Sequence, residues 1–305
     1  MKLGNSSLFA ICVAIWGSTW LAITYQLGSV APEISVGYRF LLAGLVLFAY
    51  CRWRGIALRF GRAEHIEMLL TGIGMYCVSY IFVYKAETYI ISGMVAVGYS
   101  ASPMLSMLAS RLFYGTPMTR PVIGGSVLGI AGIVLVFWNE FAQVGSSRNA
   151  MLGAALTMLS VLISTGGTMM AMRLQRRKLP IWPSMAWSMF YGGALALLIG
   201  IASGAPLAFE ASTAYVGTLL YLTLAGSIIT FACYLTLVAR IGAAPASYIG
   251  VMTPVVALLV SAVFENMAWG LLTLMGIALL VAGNVFMLRA KPAAKVQPPA
   301  QPGRG

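Results

Sequence analysis

Acidic side chains and histidine are scarce in this sequence. Of its 305 residues only seven are acidic, all of them glutamate, and His65 is the single histidine. A Ser-His-Asp triad and a multi-histidine metal site both need residues that the apolar part of the chain lacks. Because no acid lies deep in a long apolar run, an obvious proton-relay carboxylate is missing too.

Cysteine is also rare, and its spacing carries no chemical signal. The four cysteines lie in or at the ends of apolar runs, without a CxxC or CxH arrangement. This pattern predicts neither a disulfide framework nor a metal site. No cofactor is expected.

Long apolar runs are abundant. The chain is 60% hydrophobic and only 9% charged, with a mean hydropathy of +0.89, whereas ordinary globular domains carry about 25% charged residues. Stretches long enough to cross a bilayer, about 20 apolar residues each, predict an all-α polytopic membrane protein with ten transmembrane helices. They lie near residues 7–28, 34–52, 66–86, 91–113, 121–139, 150–171, 183–203, 213–237, 244–264 and 268–288.

The net charge of +12 is distributed in a way that argues against nucleic acid as a partner, because the basic clusters sit on short loops between spans. With a cytoplasmic N-terminus, sixteen of the nineteen Lys and Arg fall on the cytoplasmic side, and only Lys85 and Arg148 fall outside. Five of the seven glutamates are external. The positive-inside rule therefore predicts a multi-pass protein of a bacterial inner membrane, with membrane lipid around it and both termini in the cytoplasm.

The chain contains an internal repeat. At an offset of 151 residues, positions 103–134 and 254–285 are identical at nine places, among them Pro103/Pro254, Gly125/Gly276 and Gly132/Gly283. This predicts a first five-helix repeat at 1–140, a second at 149–290, and a Pro-rich, disordered cytoplasmic tail at 291–305. Because five spans is an odd number, the second copy must be inverted in the membrane.

Inverted repeats are typical of secondary transporters, whose substrate binds near the midplane between the repeats. We therefore expect two five-helix halves around a central cavity. Small residues at Gly125, Gly129 and Gly132 in the fifth span, and at Gly276 and Gly283 in the tenth, favour close helix packing, so these two spans are predicted to be scaffold. The same pattern can mark a weak dimer face, so the expected state is a monomer or weak dimer.

The matched prolines Pro103 and Pro254 are predicted inside spans four and nine, where each would free the carbonyl four residues earlier. A freed carbonyl is tolerated at membrane depth where it faces a cavity. The pair is therefore predicted to gate or shape a pocket. The alternative is a kink that serves packing alone.

Polar and aromatic side chains recur at helical spacing. Tyr76, Tyr80 and Tyr84 follow each other at i, i+4 and i+8 on one face of span three. Isolated hydroxyls often bond back to their own helix, but aligned stripes indicate a wet cavity with aromatic walls. The residues predicted to line it are Trp16, Tyr76, Tyr80, Tyr99, Ser164 and Tyr248.

Arg39 is the only charged residue well inside a predicted span. An intramembrane charge is a functional candidate that needs a partner. Arg39 either binds a substrate carboxylate or forms a structural ion pair with Glu33 or Glu87.

The order of the motifs resembles a known family. AIWGSTW in span one, YRFLLAGLVLF in span two, and a proline-bearing span followed by GGSVLGIAGIVLV or GIALLVAGNVFML are similar to the EamA-type branch of the drug/metabolite transporter (DMT) superfamily. Within that branch the chain looks like the YddG-type aromatic amino-acid exporters. The resemblance implies a ten-helix basket whose cavity is lined by spans 1, 3, 4, 6, 8 and 9. Many members carry a glutamate where this chain has Thr116 and Met267, which leaves the substrate open.

The sequence thus predicts a secondary transporter that works by alternating access. Its expected small-molecule substrates are amphipathic metabolites that it exports, amino acids including aromatic ones. A drug or other metabolite carrier of the same superfamily is the main alternative. An integral membrane enzyme would need a deep catalytic cluster that the sequence lacks. A receptor or scaffold would bind a ligand without moving it.

Overall fold

The computed structural model describes residues 3–115, 120–142, 147–241, 248–266 and 270–288. All regular secondary structure in these ranges is helical. Ten helical segments follow the ten predicted spans in order. They are α1 (Asn5–Thr24), α2 (Pro32–Trp53), α3 (Arg62–Glu87), α4 (Ser92–Tyr99 and Ser102–Tyr114), α5 (Arg120–Ala142), α6 (Ser147–Arg176), α7 (Ile181–Ala202), α8 (Thr213–Tyr221, Leu222–Ile229 and Thr230–Ile241), α9 (Tyr248–Phe264) and α10 (Leu271–Leu288).

The helices begin where local chemistry favours a start. Pro32 opens α2, where its missing N–H costs nothing, and Glu33 follows in the first turn beside the positive end of the helix dipole. At the start of α3 the Glu64 carboxylate accepts the Gly61 N–H, and at the start of α8 the Ser212 hydroxyl accepts the Tyr215 N–H at 3.3 Å.

Six helices are long and apolar enough to cross a membrane, namely α1, α2, α3, α6, α7 and α8. Shorter apolar stretches run through Ile123–Trp138 in α5, Met252–Phe264 in α9 and Leu271–Gly283 in α10, and α4 is divided into two pieces. The protein is an all-α polytopic membrane protein. The predicted tail at 291–305 lies outside the described residues.

The packing of the helices has a two-fold pattern. Helix α1 packs against α8 and α9, as α6 packs against α3 and α4, while α2 packs on α7 and α5 on α10. Replacing each helix in these six pairs by its counterpart five places along the chain gives the same six pairs.

The glycine contacts between α5 and α10 show the same two-fold pattern. A Cβ placed on Gly132 would lie 2.6 Å from the carbonyl oxygen of Gly276, and one on Gly283 would lie 2.6 Å from that of Gly125. The sequence repeat pairs Gly125 with Gly276 and Gly132 with Gly283, so the exchange converts one contact into the other. Only glycine permits backbones this close, and α5 and α10 form the scaffold pair that the sequence predicts.

Helices α3 and α8 each contain a π-helical segment, at Gly72–Val78 and Leu222–Ile229. In α8 the hydroxyls of Ser227 and Thr230 donate to carbonyl oxygens five residues earlier, on Leu222 at 2.9 Å and on Ala225 at 2.7 Å. Such widened turns occur frequently at functional sites. Both segments lie beside the aromatic side chains described next.

Candidate functional site: a buried aromatic and polar cluster

Aromatic rings from four helices meet in the centre of the bundle. Ring centroids are 5.2 Å apart for Trp16 and Phe231, 5.5 Å for Phe231 and Tyr76, 5.2 Å for Tyr76 and Phe40, and 4.8 Å for Phe40 and Tyr80. These separations are typical of favourable aromatic pairs. We call these five residues the aromatic cluster, and it brings together three predicted cavity residues, Trp16, Tyr76 and Tyr80.

Tyr99 at the end of the first piece of α4 forms a polar contact with α6. Its hydroxyl lies 2.5 Å from the Ser160 hydroxyl, which donates to the carbonyl of Ser79 at 2.7 Å. Ser164 lies one turn further along α6, close enough to interact with the Tyr99 side chain. The ring of Trp20 packs 5.0 Å from that of Tyr99, and its buried Nε1 has no hydrogen-bond partner. The predicted residues Tyr99 and Ser164 therefore lie together, with a free indole N–H beside them.

Arg39 projects from α2 into the bundle and is only 1% exposed. Its Nε donates to the Ser227 hydroxyl at 3.2 Å. Its Cζ lies 4.7 Å from the ring centroid of Tyr80 and 4.9 Å from that of Phe40, which is cation–π geometry. Its Nη1 is buried without a hydrogen-bond partner.

Neither carboxylate considered for Arg39 forms an ion pair with it. Glu33 instead pairs with Lys85 at 2.5 Å. Glu87 is 8% exposed, and both of its carboxylate oxygens are buried without a hydrogen-bond partner. Arg39 and Glu87 are close enough for their charges to interact, but they form no ion pair.

Glu265, just beyond α9, lies close to Glu87 and has very different surroundings. One carboxylate oxygen accepts the backbone N–H of Ser92 at 3.1 Å, and the other accepts the hydroxyls of Ser92 and Ser261, both at 2.5 Å. Glu265 thus ties the end of α9 to the start of α4.

The two prolines occupy different positions in their helices. Both prolines were predicted to lie inside a helix. This is confirmed for Pro254 in α9 but is wrong for Pro103. Helix α4 pauses after Tyr99 and resumes at Ser102, so Pro103 is the second residue of a new helical piece. The N–H groups of the first helical turn have no partner within the helix, so proline, which lacks an N–H, is tolerated there.

The two proline regions nevertheless touch. A Cβ placed on Gly250 would lie 3.5 Å from Cγ of Pro103, which is van der Waals distance. Gly250 is the residue four before Pro254, whose missing N–H frees the Gly250 carbonyl. The break in α4 and the proline in α9 therefore meet at one helix crossing.

Polar contacts join the helices on both sides of the aromatic cluster. On one side, Glu67 of α3 pairs with Arg173 at 2.8 Å and with Arg177 at 3.2 Å, both on α6. On the other, the Gln26 amide donates to the Tyr215 carbonyl at 3.3 Å and accepts the Tyr84 hydroxyl at 3.1 Å.

Two small cavities lie at the break in α4. Each has a volume of about 10 Å³, and both are lined by Ser100. Such a volume holds about one water molecule, so neither of the two is large enough for an amino acid. Trp16, Trp20, Tyr80 and Tyr99 are each half-buried.

Sequence reasoning missed several members of this site. Glu87 was named only as a partner for Arg39, although it continues the tyrosine stripe of α3 at i+11 from Tyr76. Phe231 and Ser227 carry no comparable local signal, because they reach the site only through the packing of α8. The side chain of Tyr248 lies outside the described residues, so its predicted role stays a prediction. No group of three or more His, Cys, Asp or Glu that could hold a metal ion occurs among the residues described.

Comparison with known proteins identifies the family. Residues 5–138, and again residues 151–289, match the EamA-like transporter family. The chain belongs to this family. The two matches fall on the two halves indicated by the internal repeat.

Relatives that match across most of the chain include proteins named as transporters. The chain is 29% identical over 258 residues to the "Uncharacterized inner membrane transporter YedA" of Escherichia coli K12. This match covers 83% of this chain and 80% of YedA. It is 22% identical over 288 residues to Protein PecM of Dickeya dadantii, covering 94% and 92%. The match to Protein PagO of Salmonella typhimurium, 26% identical over 139 residues, spans only 46% of either chain.

A solved crystal structure has the same fold. It superposes with a TM-score of 0.69 at 19% identity, covering 93% of this chain and 96% of the other. Family and fold together make the protein a polytopic membrane transporter of the DMT superfamily. A YddG-type assignment within the EamA branch stays a prediction.

Proposed function

We propose that this EamA-like transporter exports small amphipathic metabolites, amino acids including aromatic ones, by alternating access. The observation that carries the proposal is the set of unpaired polar atoms around the aromatic cluster: Nη1 of Arg39, Nε1 of Trp20 and both carboxylate oxygens of Glu87. A buried polar group without a partner costs about 1–3 kcal/mol, and a charged one more. Such a cost is offset when a ligand supplies the missing partners.

A zwitterionic amino acid has the required complement. Its carboxylate would bind Arg39, with the Trp20 N–H as a second donor, and its ammonium group would bind Glu87. Its side chain would lie against the rings of the aromatic cluster, and the hydroxyls of Tyr99 and Ser164 lie beside Trp20 to orient the head group. Pockets with apolar walls and a few convergent polar groups are typical of small-molecule sites.

Alternating access would use the helix crossing of α4 and α9. The break before Pro103 and the proline Pro254 place two deformable points in contact. Since α4 and α9 are counterparts in the two repeats, exchanging their shapes would open one side of the site and close the other. We assign Pro103 and Pro254 to gating.

The charge pattern supports a location in a bacterial inner membrane with both termini in the cytoplasm. The relative YedA is named an inner membrane transporter, which supports the same location. We expect a monomer or weak dimer, because the glycine faces of α5 and α10 are used against each other within one chain.

A drug or other metabolite carrier is the second candidate, favoured by the dominance of apolar rings in the site. An uncharged drug would contact the aromatic cluster and would not need Arg39. Sensitivity of transport to Arg39 substitution therefore separates the two candidates.

The proposal is tested by counterflow in proteoliposomes loaded with unlabelled phenylalanine, with labelled phenylalanine outside. We expect saturable uptake that is lost in Tyr80→Ala and Trp16→Ala. The matched control is Tyr89→Ala, because Tyr89 is 42% exposed and lies outside the site. Absence of counterflow with correctly folded wild-type protein would remove aromatic amino acids as substrates, and unchanged uptake in both site variants would remove the aromatic cluster as their binding site.

A further inference from the structure

Glu87 stands at the end of the tyrosine-lined face of α3 and is the only acid on that face. Tyr76, Tyr80, Tyr84 and Glu87 follow each other at i, i+4, i+8 and i+11, close to whole turns of the helix. Glu87 is 8% exposed, and neither carboxylate oxygen has a hydrogen-bond partner. An ionised carboxylate in this position would be both desolvated and unpaired, which is a state that proteins avoid by neutralising the group.

No neighbour in the described chain forms a hydrogen bond or an ion pair with the Glu87 carboxylate. Within the described chain, the charged groups that act on it are Glu265 and Arg39, and the phenol of Tyr84 also faces it. The Tyr84 hydroxyl already donates to Gln26, and Arg39 donates to Ser227. Lys85, the adjacent cation on α3, is paired with Glu33.

Glu265 has the surroundings that an ionised carboxylate needs. It accepts three hydrogen bonds, from the backbone N–H of Ser92 and from the hydroxyls of Ser92 and Ser261. Donors of this kind stabilise the charged form, and two nearby carboxylates in a low-dielectric site resist being charged together. Of the pair, Glu265 therefore has donors that suit a carboxylate, whereas Glu87 has none.

We propose that Glu87 is a proton-binding site, and that the proton it holds without substrate is exchanged for the ammonium group of the substrate during transport. The first statement depends only on the surroundings of Glu87, and the second rests on the proposed function. When Glu87 releases its proton to water, its carboxylate gains one negative charge, which the arriving ammonium neutralises. Substrate export would then be coupled to proton entry through a single carboxylate.

Infrared spectroscopy of the purified protein at neutral pH tests the proton directly, with no substrate present. We expect a band from a protonated carboxyl group that shifts in D₂O and is absent in Glu87→Gln, a variant that keeps the shape of the neutral acid. The band should persist in Glu265→Gln and in the control Glu64→Gln, which alters a carboxylate at the opposite end of α3. Absence of the band in wild-type protein, or its loss in Glu265→Gln instead of Glu87→Gln, would overturn the assignment.

The exchange is tested by adding phenylalanine to weakly buffered protein with a pH-indicator dye. Wild-type protein should release about one proton per bound phenylalanine, and Glu87→Gln should release none. Binding without proton release would refute the exchange while leaving the proton on Glu87. Absence of both binding and counterflow in wild-type protein would contradict the proposed substrate, whereas the infrared band would still decide the state of Glu87.

Discussion

The guanidinium of Arg39 lies over the ring of Tyr80, with 4.7 Å between Cζ and the ring centroid, while its Nε is held by Ser227. One face of the cation is thus fixed by α3 and one edge by α8, so the unpaired Nη1 has a defined direction. This arrangement suits recognition of a carboxylate, since a planar guanidinium binds such groups with two parallel hydrogen bonds.

Arg39→Gln should abolish discrimination between a free carboxylate and its amide. In wild-type protein we expect phenylalanine to compete for counterflow much better than phenylalaninamide, because only the acid bonds to Arg39. In Arg39→Gln the two should compete equally weakly, whereas Arg39→Lys should retain partial discrimination through its charge. Preserved discrimination in folded Arg39→Gln protein would place the carboxylate elsewhere.

The ring of Tyr80 should matter more than its hydroxyl. Tyr80→Phe keeps the cation–π contact with Arg39 and should leave the counterflow KM nearly unchanged, whereas Tyr80→Leu removes the contact. A cation–π interaction is worth about 0.5–2 kcal/mol, so we expect the KM to rise roughly 2- to 30-fold in Tyr80→Leu. Equal effects of the two substitutions would point to the hydroxyl.

Tyr99 and Ser160 should be energetically coupled, since their hydroxyls lie 2.5 Å apart across α4 and α6. Ser160→Ala and Tyr99→Phe each remove one partner of a buried hydrogen bond, and we expect each to lower the free energy of unfolding by about 1–3 kcal/mol. The double variant should cost less than the sum of the two. Thermal unfolding of the four proteins in detergent measures this coupling, and strict additivity would argue against it.

Gly132→Ala should destabilise the scaffold pair. The new Cβ would lie 2.6 Å from the backbone carbonyl of Gly276, so α5 and α10 must move apart. We expect a loss of about 1–3 kcal/mol, as for other overpacked sites. The matched control is Gly129→Ala one turn away, where no atom lies within 4 Å of the added Cβ and stability should be unchanged or slightly higher.

Pro254→Ala and Pro103→Ala should differ, because only Pro254 interrupts a helix. Alanine at position 254 allows a hydrogen bond to the Gly250 carbonyl, which should stiffen α9 and slow counterflow without lowering stability. Alanine at position 103 restores no helical bond, because Pro103 is the second residue of its helical piece. Equal slowing in both variants would show that proline shape, and not the freed carbonyl, governs gating.

Hydropathy and the internal repeat were sufficient to predict the helix order and the scaffold glycines, because both are local or strictly periodic signals. The tyrosine stripe of α3 was equally readable, and Tyr76 and Tyr80 do lie in the cluster. The partners of Arg39 were not readable. Sequence reasoning offered Glu33 or Glu87, but the structure gives Ser227, a residue 188 positions away, since cross-helix packing leaves no trace in local spacing.

The position of Pro103 was mispredicted for a different physical reason. An apolar run that contains proline is compatible with a kinked continuous helix or with two shorter helices, and hydropathy does not distinguish them. Here the chain turns at Ser100 and Ala101 and restarts at Ser102, so the backbone places proline where its missing N–H is harmless. The corresponding proline of α9, Pro254, is accommodated within one continuous helix.

The π-helical segments at Gly72–Val78 and Leu222–Ile229 lie at corresponding positions of the two repeats. A π-helical turn holds more residues than an α-helical turn, so it accommodates an extra residue without unfolding the helix. A widened turn at the same place in both halves is therefore a property of the repeat unit and not an irregularity of one helix.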